Sequence, residues 1–177
     1  QPWDPSVKSL VNFPQVLTMM SEKLDWTQKL GDAFLAQQKE VMATVQTLRK
    51  TAVEAGNLKT TKEQQVIVEK ETIIIQSASP QVVYVPTYNP TVVYGAWPYP
   101  AYPPAPYYPP GYVAGTALLS FGVGMAVGAA WGYAWGGCNW HGGDVDVDIN
   151  RNTNINNNIN RGNYAKQYQG GQGNWQH

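Results

Sequence analysis

The sequence predicts an α+β chain that is non-globular. It combines N-terminal helices, a few β-strands, a Pro/Tyr-rich extended strap, a glycine-zipper apolar helix and an Asn-rich β tail. Three observations carry this reading. Of the 177 residues only 14% are charged, against about a quarter in ordinary soluble domains. Residues 1–71 hold nine basic and nine acidic side chains and residues 144–177 hold three of each, while the 72 positions from 72 to 143 hold none. The 13 prolines and 17 glycines also cluster in separate stretches. Solvated surfaces need charge to stay apart, so the uncharged middle is expected to enter a membrane or a partner.

Residues 1–57 read as a helical module. Asp4-Pro5 is an N-cap followed by proline at the first helical position, opening a short helix to about Val11. Pro14 opens a second one through Met20. Asp25 then caps a long helix from Trp26 to Ala55, closed by Gly56-Asn57. Its apolar residues Trp26, Leu30, Phe34, Val41, Val45, Leu48 and Ala52 fall at three- and four-residue steps and make one stripe. That stripe packs either on the short neighbouring helices or on another subunit. Because the module carries most of the charge, it is expected on the outside of any assembly.

Residues 58–96 read as a β-segment. Val66-Ile67-Val68 and Ile73-Ile74-Ile75 are β-branched runs around Glu69-Lys70-Glu71. An echo follows: Val82-Val83-Tyr84 and Val92-Val93-Tyr94, each with a proline two positions earlier. The pattern predicts two edge-type strands joined by a Tyr88-Asn89-Pro90 turn, too few for a sandwich and in need of a partner. Residues 97–112 contain seven prolines and five tyrosines in sixteen positions. Polyproline II is the regular choice for such a run, a stiff strap of roughly 50 Å.

The segment 113–137 is apolar and of membrane-spanning length. Small residues recur every fourth position at Thr116, Ser120, Gly124, Gly128, Gly132 and Gly136. On a helix this spacing makes a face where backbones touch, within one chain or between copies. The tail, 138–177, is a period-two pattern from Asp144 to Arg161. Asp144, Asp146, Asp148, Asn150, Asn152, Asn154, Asn156, Asn158 and Asn160 alternate with Val145, Val147, Ile149, Thr153, Ile155 and Ile159. A strand with this pattern has one aliphatic and one Asp/Asn face, and stacked copies would join through asparagine ladders.

Zero net charge gives no case for a nucleic-acid partner. The single cysteine, Cys138, excludes an internal disulfide framework, and Cys138 with His141 does not complete a metal or haem site. No nucleophile triad, phosphate-binding glycine loop or carboxylate pair stands out. The expectation is therefore no enzyme, no cofactor, no metal and no small-molecule substrate. Gln1, with no initiator Met or basic leader before it, reads as a processed end.

Several stretches resemble the bacterial family called domain of unknown function 3300. They are Trp3-Asp4-Pro5-Ser6-Val7-Lys8, the run from Leu24 to Phe34, Gln81-Val82-Val83-Tyr84-Val85-Pro86, Tyr88-Asn89-Pro90 and the Asn-rich tail. The resemblance covers most of residues 1–165 and implies a secreted envelope protein with a leader and a preceding helical region. It implies no activity. The functional expectation thus rests on the residues: a secreted structural subunit that assembles into an extracellular filament with copies of itself. Gly124, Gly128, Gly132 and Gly136, with Ile149, Asn150, Asn152, Asn154, Ile155, Asn156 and Asn158, are the candidate assembly residues. The alternative is an oligomeric outer-membrane-associated envelope protein anchored by the glycine helix.

Overall fold

A computed structural model describes residue 3 and residues 5–79, 81–104, 108, 119–122, 124–127, 138–140 and 144–145. The architecture is α+β: helices followed by short antiparallel strand pairs, with no closed barrel among the described residues. The chain divides into two units, residues 1–43 with 134–177, and residues 44–133.

In the first unit Pro5 and Pro14 open helices where the sequence places them. Helix α1 (Pro5–Ser9) tightens into a 3₁₀ turn over Leu10–Asn12, and α2 (Pro14–Glu22) follows. Phe13, between the turn and α2, is 2% exposed. The expected single helix from Trp26 to Ala55 is in fact two, α3 (Leu24–Ala36) and α4 (Gln38–Glu54). Gln37 leaves helical geometry at φ −146° and ψ 57° while its N–H still donates to Ala33 O. No glycine or proline stands at this break, so local propensity is not its cause. Neither α2 nor α3 contains a buried residue. The unit also holds β7 (Cys138–Asn139), paired antiparallel with β8 (Asp144–Val145). The tail beyond Val145, with its predicted strand, lies outside the described residues.

The second unit takes over within α4, from Thr44. The helix ends as Gly56-Asn57 predicts: Gly56 adopts φ +73°, and the N–H groups of Asn57 and Leu58 both donate to Ala52 O. A left-handed residue there suits glycine alone without strain. The predicted β-branched runs form a hairpin of β1 (Gln64–Glu69) and β2 (Thr72–Ser77), in register from Gln64↔Ser77 to Glu69↔Thr72. Ala52, Ile73 and Val93 are each under 5% exposed and are the apolar centre of this unit.

Three expectations are corrected here. Val82-Val83 does form a strand, β3, but Val92-Val93 belongs to a one-turn helix, α5 (Pro90–Val93). Asn89 is its N-cap, accepting from Thr91 N–H at 3.0 Å, and Pro90 occupies the first helical position. This is the signature already read at Asp4-Pro5, and it outweighs the β-propensity of two valines. The strap is also folded over its described part. Tyr102 N–H donates to Tyr99 O at 2.9 Å and Trp97 Nε1–H to Tyr102 O at 2.8 Å, closing a turn through Pro100-Ala101 in place of a polyproline rod.

The third correction concerns the glycine-rich segment. Its described residues are extended: β5 (Ser120–Phe121) pairs with β4 (Pro86–Thr87), and β6 (Met125–Ala126) pairs with β3. The register slips by one residue between the two pairs, leaving one extra residue on the glycine-rich side, as in a β-bulge. A Cβ on Gly124 would lie 2.6 Å from Tyr84 Cε1 and 2.6 Å from Val82 Cγ1. Gly124 is therefore a point of close approach, but between strands of one chain. No helix among the described residues is long and apolar enough to cross a membrane. Gly124→Ala is expected to force β3 and β6 apart and to cost about 1–3 kcal/mol, read as a lower urea midpoint. An unchanged midpoint would refute the close packing.

Candidate functional site

The second unit brings together a polar and aromatic cluster that begins on α4. Gln46 and Arg49, one helical turn apart, face β2. Ile73 N–H donates to Gln46 Oε1 at 2.9 Å, and an Arg49 guanidinium N–H donates to Ile73 O at 2.8 Å. Together the two side chains satisfy both backbone groups of Ile73, as a neighbouring strand would. The Gln46 Nε2 is buried with no hydrogen-bond partner among the described residues.

The opposite edge of the hairpin is covered by the chain leaving α4. Val66 N–H donates to Thr60 Oγ1 at 2.9 Å, and that hydroxyl donates to Val66 O at 3.3 Å. Thr61 N–H donates to Gln64 O, and the buried Gln64 amide donates to Lys59 O at 3.1 Å. At the end of α4, the Asn57 amide donates to Val92 O and Val93 O, both at 3.0 Å. Pro90 O is met by Tyr94 N–H within the turn. The last carbonyls, which a helix leaves open, are met by Asn57, so Asn57 closes the C-terminal end of α5 as Asn89 opens its N-terminal end.

From α5 a row of rings leads outward. The hydroxyls of Tyr88 and Tyr94 are hydrogen-bonded at 2.9 Å, with ring centroids 5.9 Å apart and nearly perpendicular at 87°. Tyr94 lies 6.0 Å from Trp97, and Trp97 lies 5.9 Å from Tyr99 at 76°. Edge-to-face rings at these distances attract through their quadrupoles. Burial pushes the Tyr94 phenol well above the ordinary tyrosine range, with the neighbouring Tyr88 adding to the shift and Arg49 opposing it. Tyr94 is therefore a neutral hydrogen-bonding group. The cluster holds rings and backbone in place and offers no activated nucleophile or acid–base pair.

Of the residues singled out from sequence, Gly124 packs under Tyr84. Gly128, Gly132, Gly136, Ile149, Asn150, Asn152, Asn154, Ile155, Asn156 and Asn158 lie outside the described residues. No group of three or more His, Cys, Asp or Glu that could hold a metal occurs among the described residues. Sequence reasoning missed Gln46, Arg49 and Asn57, whose roles depend on distant backbone atoms. Tyr88, Tyr94 and Trp97 were visible only as local aromatic density.

Two substitutions check this arrangement. Arg49→Met is expected to destabilise the fold by about 1.5–3 kcal/mol, the usual worth of a hydrogen bond from a charged group, measured by urea unfolding. A raised phenol pKa favours folding fully below the unfolded value of 10.0, and that contribution is lost as pH climbs through the folded value. Tyr94→Phe should thus flatten the loss of stability that sets in above pH 10.0, while costing about 1 kcal/mol at neutral pH. Equal alkaline slopes for both proteins would contradict the burial of this phenol.

Comparison with known proteins gives the same family as the motifs. The chain is 45% identical over 142 residues to the uncharacterized protein YacH of Escherichia coli (strain K12), a match covering 62% of this chain and 23% of that protein. The chain thus spans about a quarter of the length of this curated relative. No solved structure matches it. The family model described as protein of unknown function DUF3300 matches residues 1–177, and the chain belongs to that family.

Proposed function

We propose that the chain is a non-catalytic structural subunit, secreted or located in the bacterial envelope, that associates with copies of itself. The observation that carries this reading is the open stripe of α3. Trp26 is 49% and Leu30 43% exposed although both lie on the apolar face read from the sequence. Leu24 and Leu35 on the same helix, and Leu17 on α2, are also exposed. Full burial of one such side chain contributes about 1.5–3 kcal/mol, so the stripe is a large unused driving force.

A second copy suits this surface better than a partner of strong charge. Asp25 and Lys29 lie exposed on α3 and have opposite signs. A two-fold arrangement sets a patch against itself, where a rim of mixed sign can pair with its own copy. The filament expected from the glycine-rich and Asn-rich segments extends this proposal. It now leans less on Gly124, which is already covered by Tyr84. On this reading the helical module, expected on the outside of the assembly, also supplies a contact between copies.

Sedimentation velocity of the full chain tests the reading. The parent protein should associate, and Trp26→Ser with Leu30→Ser should weaken association at least roughly 100-fold, as loss of central apolar anchors does. Helical circular dichroism should persist. Association untouched by the double substitution would end the proposal for α3.

A further inference from the structure

The loop after α5 shows chemistry that neither the family nor the α3 stripe accounts for. Pro98, Pro100, Ala101, Tyr102 and Pro103 are exposed, Tyr102 to 63%. The loop is not loose. Tyr102 N–H is bonded to Tyr99 O, Tyr102 O accepts from Trp97 Nε1–H, and the Trp97 ring rests between Tyr94 and Tyr99. Prolines 98, 100, 103 and 104 bring no backbone N–H that would need water. In sequence the nearest charged residues are Glu71 and Asp144.

We infer that this loop is a docking tip for the interface of a lipid bilayer. A segment entering that zone must leave few backbone groups unsatisfied and carry no charge that loses its hydration. It should also present tyrosine and tryptophan, whose amphipathic rings settle at headgroup level. Between Trp97 and Pro103 the loop is uncharged, its prolines lower the number of backbone donors, Tyr102 is exposed at the turn, and the internal hydrogen bonds keep it shaped before contact. Arg49 acts electrostatically on Tyr94, which Trp97 separates from Tyr99 in the ring row. The contact uses no charged residue of the loop itself, and its residues are different from those of the α3 stripe.

Flotation of the full chain with phosphatidylcholine vesicles tests this inference. The protein should float with neutral vesicles, and neither added phosphatidylglycerol nor high salt should change its partition much, because no charge is used. Ala101→Asp and Tyr102→Asp should each weaken flotation by roughly tenfold or more, while Ala101→Leu should strengthen it. Far-ultraviolet circular dichroism identifies any variant that has lost its fold, and the leucine variant then decides alone. Failure of the parent chain to float would overturn the inference. So would flotation abolished by salt, flotation indifferent to all three substitutions, or aspartate variants that change only the oligomeric state. Trp26→Ser with Leu30→Ser should float like the parent, which separates this result from the fate of the α3 proposal.

Discussion

Ile73 presents its N–H and C=O on the outer edge of a two-stranded hairpin, and α4 answers both with side chains. A hairpin of two strands is marginal by itself in water, and an open edge invites pairing with another chain. Gln46 and Arg49 meet Ile73 on one edge, and Thr60 and Thr61 meet Val66 and Gln64 on the other. With both edges held, Ile73 is buried at 3% exposure and the hairpin becomes a fixed platform. The direction of the later turns of α4 is set by the same two bonds.

The platform extends through asparagines. Gly56 turns the chain so that Asn57 reaches the carbonyls at the end of α5, and Asn89 satisfies the first turn of that helix. A four-residue helix has too few internal bonds to persist without such closure. Holding α5 in turn sets Tyr94 against Tyr88, and the ring row carries order out to Trp97 and the Tyr99–Tyr102 turn. An uncharged, proline-rich segment is thereby given a definite shape over its described residues, where its composition alone favours an extended strap.

The two units differ in how they use apolar surface. The second buries Ala52, Ile73 and Val93 and settles its backbone groups with side chains. The helices α2 and α3 of the first bury nothing fully and leave Trp26 and Leu30 open. The exposed stripe of α3 is what the proposed self-association rests on, while the polar side chains of the second unit are spent on backbone atoms.

Much of the local structure was legible in the residues. Pro5, Pro14 and Gly56-Asn57 mark helix ends because their backbone preferences act within a few residues. The β-branched runs mark β1 and β2 for the same reason. Asn89-Pro90 is an equally local signal, and α5 replaces the expected strand because a cap with proline at the first helical position outweighs the β-propensity of Val92 and Val93. The glycine-rich segment was not decidable from sequence. A repeat of four lies on one face of a helix, and it also lies on one face of a strand, since four is a multiple of two. Only the presence of Val82–Val83 and Pro86–Thr87 as pairing partners made Ser120–Phe121 and Met125–Ala126 extended. The clamp on Ile73 was likewise beyond reach, because Gln46 and Arg49 read as ordinary polar helix residues until a strand 24 and 27 positions away is folded against them. Sequence determined where elements begin and end, through short-range backbone preference; tertiary structure decided what each edge and ring meets, because those contacts join residues far apart in the chain.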